Sequence, residues 1–125
     1  MFELCLQKTF LASHALVGGD WGKENKSHSH GYKLEFILES KQLGAHGYVA
    51  DLLVVEKHLT SVLNKFQDKF LNDLEKFQNI NPSLENFCRI LWDELFRRLG
   101  FTGVTGGKVI LWENENAWAS YRSNL

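Results

Sequence analysis

The sequence has little with which to cross-link or brace itself chemically: two cysteines, one proline and one methionine in 125 residues. Cys5 and Cys88 stand apart, outside any C-x-x-C or other zinc-type spacing, which argues against a disulfide scaffold and for a reducing compartment. An excess of one charge is also missing. Fourteen Lys and Arg face fifteen Asp and Glu, and neither end carries a basic or acidic tail, so no nucleic acid or other polyanion is implied as a partner. No window approaches the roughly 18 apolar residues of a membrane span. Met1 to Lys8 lacks the basic region and long apolar stretch of a secretory leader. Together these absences lead to the expectation of a cytoplasmic protein that does not enter membranes. What is present is a chain 44% hydrophobic and 13% aromatic. A chain of this length buries roughly two thirds of its unfolded surface, enough for one domain over residues 1–125. A metal, if bound, would then serve chemistry rather than folding.

Periodicity divides the chain into six elements. Phe2, Leu4, Leu6, Phe10, Ala12 and His14 occupy even positions, the period-two pattern of one strand face. Gly18, Gly19, Asp20, Gly22 and Asn25 punctuate a loop, after which alternation resumes from His28 to Leu38. Asp51 is placed to cap a helix carrying Leu52, Val55, Leu59 and Val62, which fades near Asn64 to Lys69. Ser83 is an N-cap for a second helix, with Glu85 in the first turn where the helix dipole favours negative charge. Its stripe of Leu84, Phe87, Cys88, Leu91, Leu95 and Leu99 runs to Gly100, the expected stop. Lys108–Trp112 and Ala117–Tyr121 are rich in strand formers and joined by Asn114-Glu115-Asn116, as in a hairpin. The order ββααββ predicts an α+β fold: a four-stranded antiparallel sheet with two helices on one face.

His28 and His30 are two apart in a strand, so both side chains leave one face with Cα atoms about 6.5–7 Å apart. One ion fits between them. Zinc binds imidazole nitrogen at about 2.0–2.1 Å and in catalytic sites takes three protein ligands, leaving a corner for water or substrate. His14, on the even face at the end of the first strand, is the candidate third ligand. An H-x-H pair taken alone equally suits a solvated strand face. His46, in a glycine-rich connection, and His58, beside Lys57, read as surface residues.

Phe10-Leu11-Ala12-Ser13-His14, His28-Ser29-His30-Gly31-Tyr32, Gly47-Tyr48-Val49-Ala50-Asp51, Leu71-Asn72-Asp73, Pro82-Ser83-Leu84-Glu85-Asn86 and Trp112-Glu113 run in this order along the chain. In that order they resemble the motifs of the 6-pyruvoyl tetrahydropterin synthase and 6-carboxytetrahydropterin synthase family, small zinc enzymes of the tunnelling fold. The resemblance implies Zn2+ held by His14, His28 and His30. It also implies a pterin substrate anchored by Glu113, with Ser83 a second contact, and a homo-oligomer of trimers or hexamers. The family's cysteine and its Asp-His pair are absent. Glu24 stands four residues before His28, where many members carry the cysteine, and the L-D-H positions read Phe66-Gln67-Asp68. A glutamate ordinarily titrates near 4.3 against about 8.5 for a cysteine, so Glu24 would be a base without activation. Were Glu24 and Asp68 to meet in the pocket, their repulsion would let them share one proton. Glu24 could equally close the zinc shell as a fourth ligand, or be a solvated charge.

Three functions are therefore open. The resemblance implies a zinc-dependent lyase or synthase acting on 7,8-dihydroneopterin triphosphate or a related dihydropterin. A glutamate in the cysteine's place raises the alternative of cleavage to 6-hydroxymethyl-7,8-dihydropterin. Loss of all three proton-transfer residues raises that of a zinc- and pterin-binding protein without catalysis. A metal domain unrelated to pterins would require Glu113 to lie outside the metal pocket.

Overall fold

In the computed structural model, which describes residues 1–97 and 99–125, strands β1 (Phe2–His14) and β2 (His28–Ser40) pair antiparallel along their whole length. Phe2 lies opposite Ser40 and His14 opposite His28. β2 then pairs with β3 (Gly106–Asn114), and β3 with β4 (Ala117–Asn124), giving one sheet in the order β1-β2-β3-β4. Helices α1 (Leu52–Leu63) and α2 (Leu84–Phe96) fill the connection between β2 and β3. The expected ββααββ order and the antiparallel four-stranded sheet are both present.

Strand parity decides which face is covered. Phe10, Ala12, Tyr32, Leu34, Phe36 and Leu38 from β1 and β2, with Val109 and Leu111 from β3, join α1 and α2 in a single apolar core. Phe87 of α2 lies at its centre, with the rings of Phe10, Tyr32, Phe66 and Phe77 all 5.2–5.8 Å away, centroid to centroid. Both predicted caps form. Asp51 Oδ1 accepts from the amide of Leu53 at 2.9 Å, and Ser83 Oγ from that of Asn86 at 3.1 Å, each satisfying a first-turn N–H that has no partner within its helix.

Helix α2 ends earlier than its stripe suggests, at Phe96 with Arg97 as C-cap. The cause is His58. Its Nε2–H donates to the carbonyl of Leu95 at 2.8 Å, the oxygen that the amide of Leu99 would claim if the helix continued. Leu99 instead bonds Phe96 O at 3.2 Å and turns back onto the core. His58, read from the sequence as a surface residue, is half-buried and joins the two helices. Gly107 has a different role. A Cβ there would meet Ile37 O and the ring of Phe96, so only glycine lets β3 lie close enough for Trp92 Nε1–H to donate to Gly107 O at 3.1 Å.

Candidate metal centre

The register that pairs His14 with His28 also pairs Ala12 with His30, which places three imidazoles at one end of the β1–β2 ladder. Their ring centroids are 4.5, 4.8 and 4.9 Å apart. With Glu24 they form a cluster in which one ligand atom from each residue lies within 4.8 Å of all the others. Glu24 reaches the cluster from a 3-10 turn, Gly22–Asn25, whose position is fixed by the main chain: Leu16 N–H donates to Glu24 O at 2.8 Å. Asn25 closes the same loop, donating from Nδ2 to Leu16 O and Gly19 O and accepting from the amide of Trp21.

Hydrogen bonds to backbone carbonyls choose the tautomer of two of the rings. Nδ1–H of His14 donates to Pro82 O at 2.8 Å, and Nδ1–H of His28 to Lys26 O at 2.7 Å. Both Nε2 lone pairs are thereby left facing the centre. His14 Nε2 lies 3.2 Å from His30 Nε2. Two nitrogens of a tetrahedral zinc site with bonds of 2.0–2.1 Å stand about 3.3 Å apart. His28 Nε2 is buried without a hydrogen-bond donor to it, and Glu24 Oε2 approaches it to 2.6 Å. Electron-pair donors converging on one point fit a divalent cation. Burial, with the neighbouring His28 and His30, lowers the His14 pKa to about 4, so this ring is neutral and available as a ligand at physiological pH.

A cavity of about 380 Å³ opens beside the cluster. His14, Glu24, Ser83 and Glu113, all singled out in the sequence, line it together with Leu16, Leu84 and Glu85. Glu113 sits at an irregularity of the hairpin: Trp112 pairs with Trp118 and Asn114 with Ala117, which leaves Glu113 without a partner on β4. Such bulges re-aim a side chain. Tyr32 lies buried behind His14, its hydroxyl 3.4 Å from His14 Nδ1, and burial followed by the charges of Glu113 and Glu24 raises its pKa. The phenol is therefore protonated.

Asp68 is not part of this cluster. It is exposed, in the left-handed region at φ 60°, and its amide donates to Leu11 O at 2.7 Å on the outer edge of β1. Gln67 accepts the amide of Leu11 through Oε1 at 3.1 Å. Three contributors to the site were not singled out for it in the sequence: the carbonyl of Pro82, the carbonyl of Lys26 and the loop-closing amide of Asn25. Backbone oxygens leave no mark in residue identity, although Pro82 lay within a quoted motif. A second concavity, about 320 Å³ between α1 and α2, carries Lys65, Lys76 and Arg97, but these are paired with Glu94 and Asp93.

A sequence model of the family described as 6-pyruvoyl tetrahydropterin synthase matches residues 3–124. No curated protein matches the chain in sequence. Among solved structures, 6-pyruvoyl tetrahydropterin synthase from Caenorhabditis elegans superposes with a TM-score of 0.87 at 22% identity, covering 98% of this chain and 95% of that one. The Plasmodium falciparum enzyme gives 0.81 at 13% identity, covering 99% and 98%. A Plasmodium vivax 6-pyruvoyltetrahydropterin synthase in which a catalytic glutamate is replaced by alanine gives 0.81 at 16%, also covering 99% and 98%. At these identities the likeness is one of fold.

Proposed function

The chain belongs to the 6-pyruvoyl tetrahydropterin synthase family, and on that premise we propose that it is a zinc-dependent lyase acting on the side chain of 7,8-dihydroneopterin triphosphate or a related dihydropterin. The observation that carries this reading is the cavity in which His14 of the three-histidine cluster, Glu24 and Glu113 meet.

His14, His28 and His30 would hold the zinc. When bound, it supplies Lewis acidity toward side-chain hydroxyls and the oxyanion that develops as a neighbouring bond breaks. Glu113 offers two carboxylate acceptors to the parallel N–H donors of a pterin ring, so it fixes which end of the ligand points toward the histidines. Glu24 is the base: Oε2 accepts a proton released near the histidine cluster and returns it to the product. Catalysis by a carboxylate has a parallel in the Plasmodium vivax structures, where the catalytic residue replaced by alanine or cysteine is a glutamate. The same substitution supports 6-hydroxymethyl-7,8-dihydropterin as the product of this chain. A second reading, zinc and pterin binding without turnover, is favoured by the place of Asp68 on the outer edge of β1. The metal domain unrelated to pterins required Glu113 outside the pocket, and Glu113 lines it.

Trimers or hexamers are proposed as the assembly, since β4 and the part of β1 before Leu11 end the sheet as edges available for pairing with another copy. A cytoplasmic setting is consistent with two free cysteines, Cys5 exposed and Cys88 buried. No described helix is long and apolar enough to cross a membrane. The test is to load the purified protein with zinc and incubate it with 7,8-dihydroneopterin triphosphate. Formation of a cleaved pterin is expected. Pterin binding without product would favour the second reading, and neither binding nor turnover would end both.

A further inference from the structure

Strand β1 loses its partner at His14, because the last pair of the β1–β2 ladder is His14 with His28. The chain beyond is nevertheless held residue by residue. Asn72 accepts the amide of Ala15 through Oδ1 at 2.9 Å and donates from Nδ2 to the carbonyl of the same residue at 2.8 Å. This two-bond exchange is what a residue of a neighbouring antiparallel strand would provide. Two residues earlier, the amide of Ser13 bonds Lys69 O at 3.0 Å; two residues later, the amide of Val17 bonds Asn81 Oδ1 at 2.9 Å. Asn72 is itself anchored. It follows Leu71, which is completely buried, and its carbonyl accepts Gln78 Nε2–H at 2.9 Å.

We propose that Asn72 is a positioning residue of the metal centre: its carboxamide pairs with Ala15 on the edge of the chain turned away from β2 and so fixes the direction in which the neighbouring His14 presents Nε2. His14 is the member of the cluster with most to lose from a drift of the chain. It is 2% exposed, and its ring is oriented by a carbonyl from a distant segment, Pro82 O, which a shift of the chain would forfeit. Outer-shell partners of this kind typically change metal affinity about 10–100-fold. The inference rests on the metal reading of the histidines and assigns the orientation of His14 to an amide placed to touch neither metal nor substrate.

The test is zinc affinity of full-length Asn72→Asp, measured by competition with a chromophoric chelator beside the melting temperature of the metal-free protein. Aspartate retains an acceptor for Ala15 N–H but loses the donor to Ala15 O. Expected is a roughly 10–100-fold weaker zinc affinity, with metal-free melting close to that of the parent and a weakened visible spectrum after cobalt substitution. Unchanged affinity and spectrum would overturn the proposal while leaving the metal reading intact, as would an affinity loss matched by an equal loss of metal-free stability. A parent protein that binds no zinc would overturn both. Should the variant fail to fold, hydrogen exchange in the metal-free parent decides: an Ala15 amide as protected as those inside β1 is expected, and exchange at the rate of an open loop contradicts the proposal.

Discussion

Glu24 Oε2 and His28 Nε2 lie 2.6 Å apart, four residues distant in the chain and joined across the passage from a 3-10 turn into β2. The geometry brings a carboxylate to the edge of a three-imidazole cluster without burying it, since half of the Glu24 side chain is exposed. This is the position of a group that can exchange protons with a ligand. Glu24→Gln keeps the shape and removes the basicity. The expected outcome is turnover lower by about 10²–10⁴-fold with one zinc per chain retained. Metal analysis beside single-turnover assays checks it, and loss of zinc would instead make Glu24 a ligand.

Glu113 is expected to act on binding rather than on the proton. Glu113→Gln exchanges one acceptor for a donor, which then opposes an N–H of the ring. Loss of a charge-assisted hydrogen bond is worth about 1.5–3 kcal/mol, or roughly 10–150-fold in dissociation constant. Fluorescence titration with a dihydropterin measures this, and zinc content should not move.

Most of the fold was legible in residue spacing, because each strand and helix buries one face and the buried residues recur with its period. Even positions of β1 and β2 announce the core, and Asp51 and Ser83 announce the helix starts. The end of α2 was not legible: it meets His58 of α1, which donates to the carbonyl of Leu95, and a contact between helices leaves no mark in the spacing of either one. At the site, His14, His28 and His30 follow from strand alternation once β1 and β2 are paired, and the register given by the structure brings them together. The carbonyls of Pro82 and Lys26 that orient two of the rings could not be read, since every residue carries a carbonyl and only the folded chain selects which one is used. Asp68 shows the converse. Its place in a motif suggested a partner for Glu24, whereas within one chain it lies against Leu11.

Away from the site, acid sensitivity should come from Glu39. This carboxylate is 4% exposed and is gripped by Arg122 through two hydrogen bonds of 2.9 and 2.8 Å. Those bonds hold its pKa below the usual carboxylate range against the opposing effect of burial. A depressed pKa means that the unfolded chain binds the proton more readily than the folded one. The stabilisation is therefore complete above the unfolded value, near 4.3, and is lost as pH falls through the folded value. Urea unfolding of Arg122→Ala against the parent should show a loss of stability at pH 7 that shrinks at acid pH, where the Glu39 carboxylate is protonated. An equal loss at both pH values would place the contribution of Arg122 in packing instead.

The central claim is that His14, His28 and His30 hold one divalent cation that leaves a corner open to a pterin. Diffraction from crystals grown with zinc and a dihydropterin, recorded at the zinc absorption edge, tests it most directly. The account predicts one anomalous peak about 2.0–2.1 Å from the Nε2 atoms of all three histidines, with the pterin ring on Glu113 and Glu24 outside bonding distance of the metal. No peak there, or a zinc enclosed by the three histidines and Glu24 with no ligand beside it, would contradict it.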